Sequence, residues 1–262
     1  AWEGTRTRFD LSTNKHFSKH WYLHGYAAYG FKDQKFKGQA EIKYRFSKQP
    51  WSYVGISYKS DLDNGQVVYD QISSDNLFTF FFRKNNVPFR YQQIQEKKIE
   101  YFTDTYKSFS IHLSAASRQY DPLLNLPGKE NFPAKEGDPL NNFETTLKLR
   151  YAYQERFLED NFSRSSFGSE YPIVQLIYTH GWPGVLKSNY SYNRVDVTVS
   201  DYIKLPPYGS LHYNLFAGKV FSKDPLPYQL LIHQPGNDWH YYSNNSFNLM
   251  NRFQYLTDEY AG

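Results

Sequence analysis

The chain has 262 residues, 30 Lys and Arg against 26 Asp and Glu, and a mean hydropathy of −0.74, so its average polarity is that of a water-soluble protein. The longest greasy run, LFTFFF at 77–82, falls far short of the roughly 18 apolar residues of a membrane helix. That excludes a spanning helix but not a membrane barrel, whose strands alternate and average out to polar.

The absence of Cys excludes disulfides and thiolate metal sites, and a net charge of +4 spread along the chain gives no nucleic-acid footprint. Aromatics are abundant: 25 Tyr, 21 Phe and 5 Trp, 19% of the chain. Such residues suit a membrane–water interface, with one end dry and the other wet, and they equally suit a carbohydrate-binding surface. A chain opening on Ala1-Trp2, with neither Met nor signal peptide, is expected to be a processed or trimmed product.

In chain order, a period of two recurs, the mark of a strand with one wet and one dry face. Residues 4–12 set Arg6, Arg8 and Asp10 against Thr5, Thr7, Phe9 and Leu11. Trp21, Leu23, Ala27, Tyr29 and Phe31 take the odd positions of 21–31. In QAEIKYRF (39–46), Gln39, Glu41, Lys43 and Arg45 alternate with Ala40, Ile42, Tyr44 and Phe46. Val54, Ile56, Tyr58 and Leu62 oppose Ser57, Lys59 and Asp61. NLFTFFFR (76–83) is counted as a strand. Phe109, Ile111, Leu113 and Ala115 then alternate with Ser110, His112, Ser114 and Ala116. Leu147, Leu149, Tyr151 and Tyr153 oppose Lys148, Arg150 and Gln154, and 171–180 is a further strand. Val195, Val197 and Val199 oppose Arg194, Asp196 and Thr198; Leu211, Tyr213, Leu215 and Ala217 oppose His212 and Asn214. Last, Phe247, Leu249, Phe253 and Tyr255 alternate with Arg252 and Gln254. The reading is an all-β chain of about twelve strands in one domain, 1–262.

The connections divide by length. KDQK (32–35), SKQP (47–50) and LPPYG (205–209) are tight, whereas 121–142 and 222–245 are long and hold most of the Pro. In an up-and-down barrel one rim has short turns and the other long loops. With 76–83 counted, both long loops and SKQP are expected on one rim, KDQK and LPPYG on the other.

Catalytic and metal patterns are weak. His16, His20 and His24 are four apart, but on a strand His20 and His24 stand ~13 Å apart, unlike a helical metal face. DLDNG (61–65) departs from a calcium loop in its Gly and in Ile72. The close carboxylates Asp61 with Asp63, and Glu159 with Asp160, have no nucleophile or His partner in a recognisable frame. No GxSxG, phosphate-binding glycine loop or HExxH occurs. The expectation is a protein that is not an enzyme and uses no cofactor or metal.

Alternation cannot by itself say which face is inside. Arg or Lys facing lipid near the midplane costs roughly 2–4 kcal/mol each, so in a membrane the ionic face lines the interior. In a soluble sandwich it faces bulk water. Strands of ~9–12 residues, aromatics at strand ends and one class of longer loop favour the membrane.

EGTRTRFDLSTN (3–14), YLHGYAAYGFKDQKFKGQAEIKYRF (22–46) and SYVGISYKSDLDNG (52–65) resemble an outer-membrane barrel family of unknown function from Bacteroidota. The block from Phe167 to Phe221 and FNLMNRFQYLTDEYAG (247–262) resemble it too. Members carry a signal peptide and a carboxypeptidase-regulatory-like β-sandwich before the barrel.

That family is similar to the BamA and two-partner-secretion superfamily of sixteen-stranded antiparallel transmembrane barrels. There the loop between strands eleven and twelve folds into the lumen through an Arg-Gly motif. The loop 222–245 holds the corresponding place and has Gly236 but no Arg. The resemblance implies that about four closing strands are missing.

The expected architecture is therefore a transmembrane barrel with Arg6, Arg8, Glu41, Lys43, Arg45, Lys148, Arg150, Arg194 and Arg252 lining a hydrated interior. Outer-membrane lipid, and other envelope proteins, are the expected partners. In HQPGNDWHYYSNN (233–245), Gly236, Asn237, Trp239, Tyr241 and Tyr242 are candidates for a plug or a sugar-stacking surface. The resemblance implies handling of polypeptide or another envelope component. The alternatives are a passive or accessory channel and a soluble glycan-binding β-sandwich.

Overall fold

The computed structural model describes residues 3–63, 84–105, 108–127, 140–159, 162–242 and 246–262. The expected strand at 76–83 lies outside them. The strands are β1 (Arg6–Ser12), β2 (Trp21–Gly30), β3 (Lys35–Lys48), β4 (Trp51–Asp63), β5 (Tyr91–Thr105), β6 (Phe109–Leu124), β7 (Leu140–Ala152), β8 (Phe157–Glu159), β9 (Arg164–Ser166), β10 (Ile173–Gly181), β11 (Tyr192–Leu205), β12 (Gly209–Ser222), β13 (Ile232–His233), β14 (Leu256–Thr257) and β15 (Glu259–Ala261). Eleven of them form one antiparallel sheet in the order β1-β2-β3-β4-β5-β6-β7-β10-β11-β12-β15. β8 with β9, and β13 with β14, make two small ribbons.

Because successive side chains point to opposite faces, the register places most of the strands' ionic side chains on one side. That side is concave. Arg6 on β1 reaches Asp61 on β4 through two hydrogen bonds, 3.1 and 2.8 Å, across two intervening strands. A flat sheet would separate β1 and β4 by about 14 Å. The other face is convex and carries Phe9, Leu11, Ile42, Ile56, Ile99, Leu113, Leu176, Val197 and Leu215, all exposed. No second sheet covers this face among the described residues.

Three expectations need correction. Residues 247–255 alternate but form no strand: they turn, Phe253 takes a positive φ of 53°, and only Glu259–Ala261 rejoins the sheet, beside β12. Arg252 therefore does not sit on a barrel strand.

SKQP does not share a rim with the long loops either. β4 pairs directly with β5, so the connections from β3 to β4, β5 to β6 and β11 to β12, all short, close on one rim. KDQK lies on the opposite rim, with the connections after β4, β6, β10 and β12.

Finally, among the described residues the sheet has eleven strands, beside the about twelve strands expected of the whole chain, and it includes one missed by the alternation, β5. Toward the long-loop rim β5 is polar on both faces: Gln93, Gln95 and Lys97 are outward, Gln92, Glu96 and Lys98 inward.

The apolar core lies inside the curl, against the long-loop rim. Leu230 and Ile232 from the excursion between β12 and β15 pack on Tyr120 of β6, Leu140 of β7, Tyr192 of β11 and Val220 of β12. Ile232 is 1% exposed. Truncating it leaves a cavity in the excursion's main apolar contact. Ile232→Ala should lower stability in equilibrium denaturation by about 2–4 kcal/mol, and Ile42→Ala on the convex face by less than half as much.

Candidate functional site

Two features occupy the concave side: a network of paired ionic side chains and the excursion that packs on it. In the network, Asp61 accepts from Arg6 and from the Tyr26 hydroxyl at 2.5 Å. Arg8 pairs with Asp10 and lies over the Tyr26 ring, 3.8 Å from its centroid. Lys43 pairs with Glu41 at 2.8 Å and approaches Glu100 at 3.6 Å, while Glu100 also meets Lys98 and His112. Arg118 on β6 bridges Glu96 on β5 and Glu144 on β7, and Glu144 is also bonded by Tyr192 and Asn142. Arg150 holds Glu155 through two bonds, and Arg194 holds Asp196 at 2.7 Å. Lys148 shares the inward parity of β7 with Glu144 and Arg150.

Each carboxylate has a partner because an unpaired charge on a partly enclosed surface loses its hydration without compensation. The sequence showed these ions as a face. It did not show the pairs that join distant residues, such as Arg6 with Asp61 and Arg118 with Glu96 and Glu144.

The excursion is longer than sequence reasoning placed it, running from Lys223 to Asp258. Gly236 is buried, and a β-carbon there would lie 2.3 Å from the Asn251 backbone, so only Gly lets the two limbs meet. Asn237, 2% exposed, ties the bend: its side chain donates to Tyr241 O and Asn248 Oδ1, and accepts from Trp239 N.

Arg252 comes from the returning limb and lies over Trp239 at 4.0 Å, while its backbone N–H donates to Asp238. An Arg thus joins Gly236 in the same folded excursion, supplied by a segment that alternation had assigned to a strand. Lys84 and Arg90, which precede β5, fasten the excursion by donating to the carbonyls of Asn237, Asn248 and Arg252. Tyr241 and Tyr242 stay exposed, so the candidate residues divide into a packed set and a surface pair.

At the other rim, the β8–β9 hairpin reaches back over the interior. Phe162 contacts Tyr22 of β2 and the guanidinium of Arg45 of β3, and Arg164 pairs with Asp104 of β5. Arg45 is 3% exposed and also meets the Trp51 ring and the Lys19 carbonyl. Asp160 lies outside the described residues. Among the described residues no group of three His, Asp or Glu is placed to hold a metal ion, and His24 instead bonds Asp10.

Fold and site together define an all-β protein whose curled antiparallel sheet is filled, at one end, by an excursion of the same chain. The chain belongs to the family of unknown function described as the DUF5686 C-terminal domain, whose model matches residues 1–261. No curated protein and no solved structure matches it.

Burial holds the His233 ring below its ordinary value of 6.5. Its Nε2 donates to the Tyr228 carbonyl at 3.0 Å, the Phe253 ring lies 4.8 Å away, and Asp63 and Arg194 act on it with opposite signs. The released excursion therefore binds more protons than the docked one below pH 6.5, and docking weakens as pH falls through that value. Protection of the excursion's amides, taken relative to their intrinsic exchange rates at each pH, should be higher at pH 7.5 than at pH 5.5, with His233→Gln flattening the difference. Separately, Arg252→Ala should raise limited proteolysis within the excursion about five- to tenfold, and Arg252→Lys should recover only part of the protection, because an ammonium lacks the planar stack on Trp239.

Proposed function

We propose that this chain forms the wall of an outer-membrane β-barrel of BamA-like architecture, non-enzymatic, that handles polypeptide or another envelope component. The observation that carries this reading is the path of the exposed apolar band. The register row through Ile42 runs to Ile56, Ile99, Ala115, Thr145, His180 and Asn193. It starts among apolar side chains on β3 and ends among polar ones. On β11 the outward valines centre on Val197, four residues beyond Asn193, after six strand-to-strand steps.

A slip of about two thirds of a residue per step, ~2.2 Å against ~4.8 Å, corresponds to strands tilted by about 25° to the normal of the band. Strands of transmembrane barrels are tilted in the same way, by about 35–45°. Aromatics edge the band: Trp21, Tyr44 and Phe46 meet at one end of β2–β3, and Tyr29, Phe31 and Phe36 at the other. A soluble sandwich would have to leave this face wet, and such a patch exceeds what soluble monomers usually expose. A glycan-binding sandwich therefore draws less support. The packed excursion speaks against a permanently open channel.

On this reading Val197 meets acyl chains and Thr198 the interior. Val197→Arg should cost roughly 2–4 kcal/mol and cut folding yield in lipid vesicles, while Thr198→Arg should be tolerated better. The full-length protein should sediment with outer membranes and need detergent for extraction. Recovery in the soluble fraction without detergent would end the proposal.

A further inference from the structure

The two segments that enter the interior are held by different forces. The excursion between β12 and β15 is fixed by a buried apolar cluster, with Ile232 at its centre. Among the described residues, the β8–β9 hairpin rests on its far wall through the ion pair of Arg164 with Asp104 and through Phe162, between Tyr22 and Arg45. Its own geometry is self-contained. β8 and β9 pair over three residues, Arg156 and Gly168 extend the ladder, and the Arg164 guanidinium covers Phe157 at 3.4 Å.

The root is anchored separately. Glu155, 2% exposed in its side chain, takes Arg150 in two bonds and the Ser166 hydroxyl, and Ser169 donates to the Tyr153 carbonyl. The hairpin can thus lift as a unit while its root stays attached, and what Phe162 and Arg164 leave behind on the wall is polar. Asp104, Arg45 and Tyr22 can all take up water once uncovered. Apolar burial does not weaken with salt in this way, whereas Arg164 and Asp104, 18% and 13% exposed in their side chains, are screened once the hairpin opens and solvent reaches them.

We propose that the β8–β9 hairpin is a releasable cap over the short-turn end of the interior, and that the excursion at the opposite end is a fixed plug. Any cargo entering from the short-turn rim would displace the hairpin first. That consequence rests on the barrel reading above; the mobility contrast itself does not.

The chain has no Cys, so single thiols report each site cleanly. Tyr22→Cys places a thiol beneath Phe162, and Ile232→Cys places one in the plug. Maleimide labelling of the Tyr22→Cys protein should quicken about tenfold when Arg164→Gln is added, and again when salt is raised from about 0.05 to 1 M in the otherwise unaltered protein. Asp104→Arg combined with Arg164→Asp should restore slow labelling. Ile232→Cys should stay unreactive throughout.

Labelling of Tyr22→Cys that is indifferent to both Arg164→Gln and salt would overturn the proposal. So would plug labelling as fast as that at position 22. Should Arg164→Gln fail to fold, the salt series on Tyr22→Cys alone decides. Membrane fractionation of the same samples tests the barrel reading independently, so the two can fail separately.

Discussion

Pairing of charge on the concave face governs this structure. Curling an antiparallel sheet brings side chains from non-adjacent strands within reach, and any ion left there without a counter-ion would be poorly hydrated. Asp61 draws together β1, β2 and β4 through Arg6 and Tyr26. Glu144 draws together β6, β7 and β11 through Arg118, Asn142 and Tyr192. These ties make register and curvature one problem: a slip of a single residue would turn the ions outward and remove the contacts that hold the curl.

The interior is unequal along its length. Toward the long-loop rim the concave wall turns aromatic and aliphatic, with Tyr120, Leu140, Tyr192 and Val220, and receives Leu230 and Ile232 from the excursion. Toward the short-turn rim the wall offers Asp104, Arg45 and Tyr22, and receives Arg164 and Phe162. Each end is met by a segment of matching chemistry. On the proposed barrel reading, this leaves the convex face to lipid and the two ends of the interior to segments of the same chain.

The site illustrates why position along the chain is a poor guide to the role of an excursion. Gly236, Asn237 and Trp239 were identifiable as unusual because a Gly-Asn bend beside Trp is turn chemistry. Their partner Arg252 was not, because Phe247, Leu249, Phe253 and Tyr255 keep a strand-like period over residues that do not form one. Packing overrides that period: the close approach of Gly236 to Asn251 and the stacking of Arg252 on Trp239 hold the returning limb in turns.

By itself the sequence determined the class of the fold and the two-faced character of most strands, since a period of two is a property of neighbours and needs no distant partner. It marked β3, β7 and β11 well because their outward positions are mainly apolar and several inward ones ionic, and β12 because Leu211, Tyr213, Leu215 and Ala217 alternate with His212 and Asn214. It missed β5, polar on both faces over half its length, and it misplaced SKQP, because a rim is defined by counting strands that actually pair. Only the tertiary structure decided which carboxylate meets which cation, how far the excursion extends, and that the apolar face is convex and uncovered. Those outcomes depend on contacts between residues tens to hundreds of positions apart, which a local pattern does not encode.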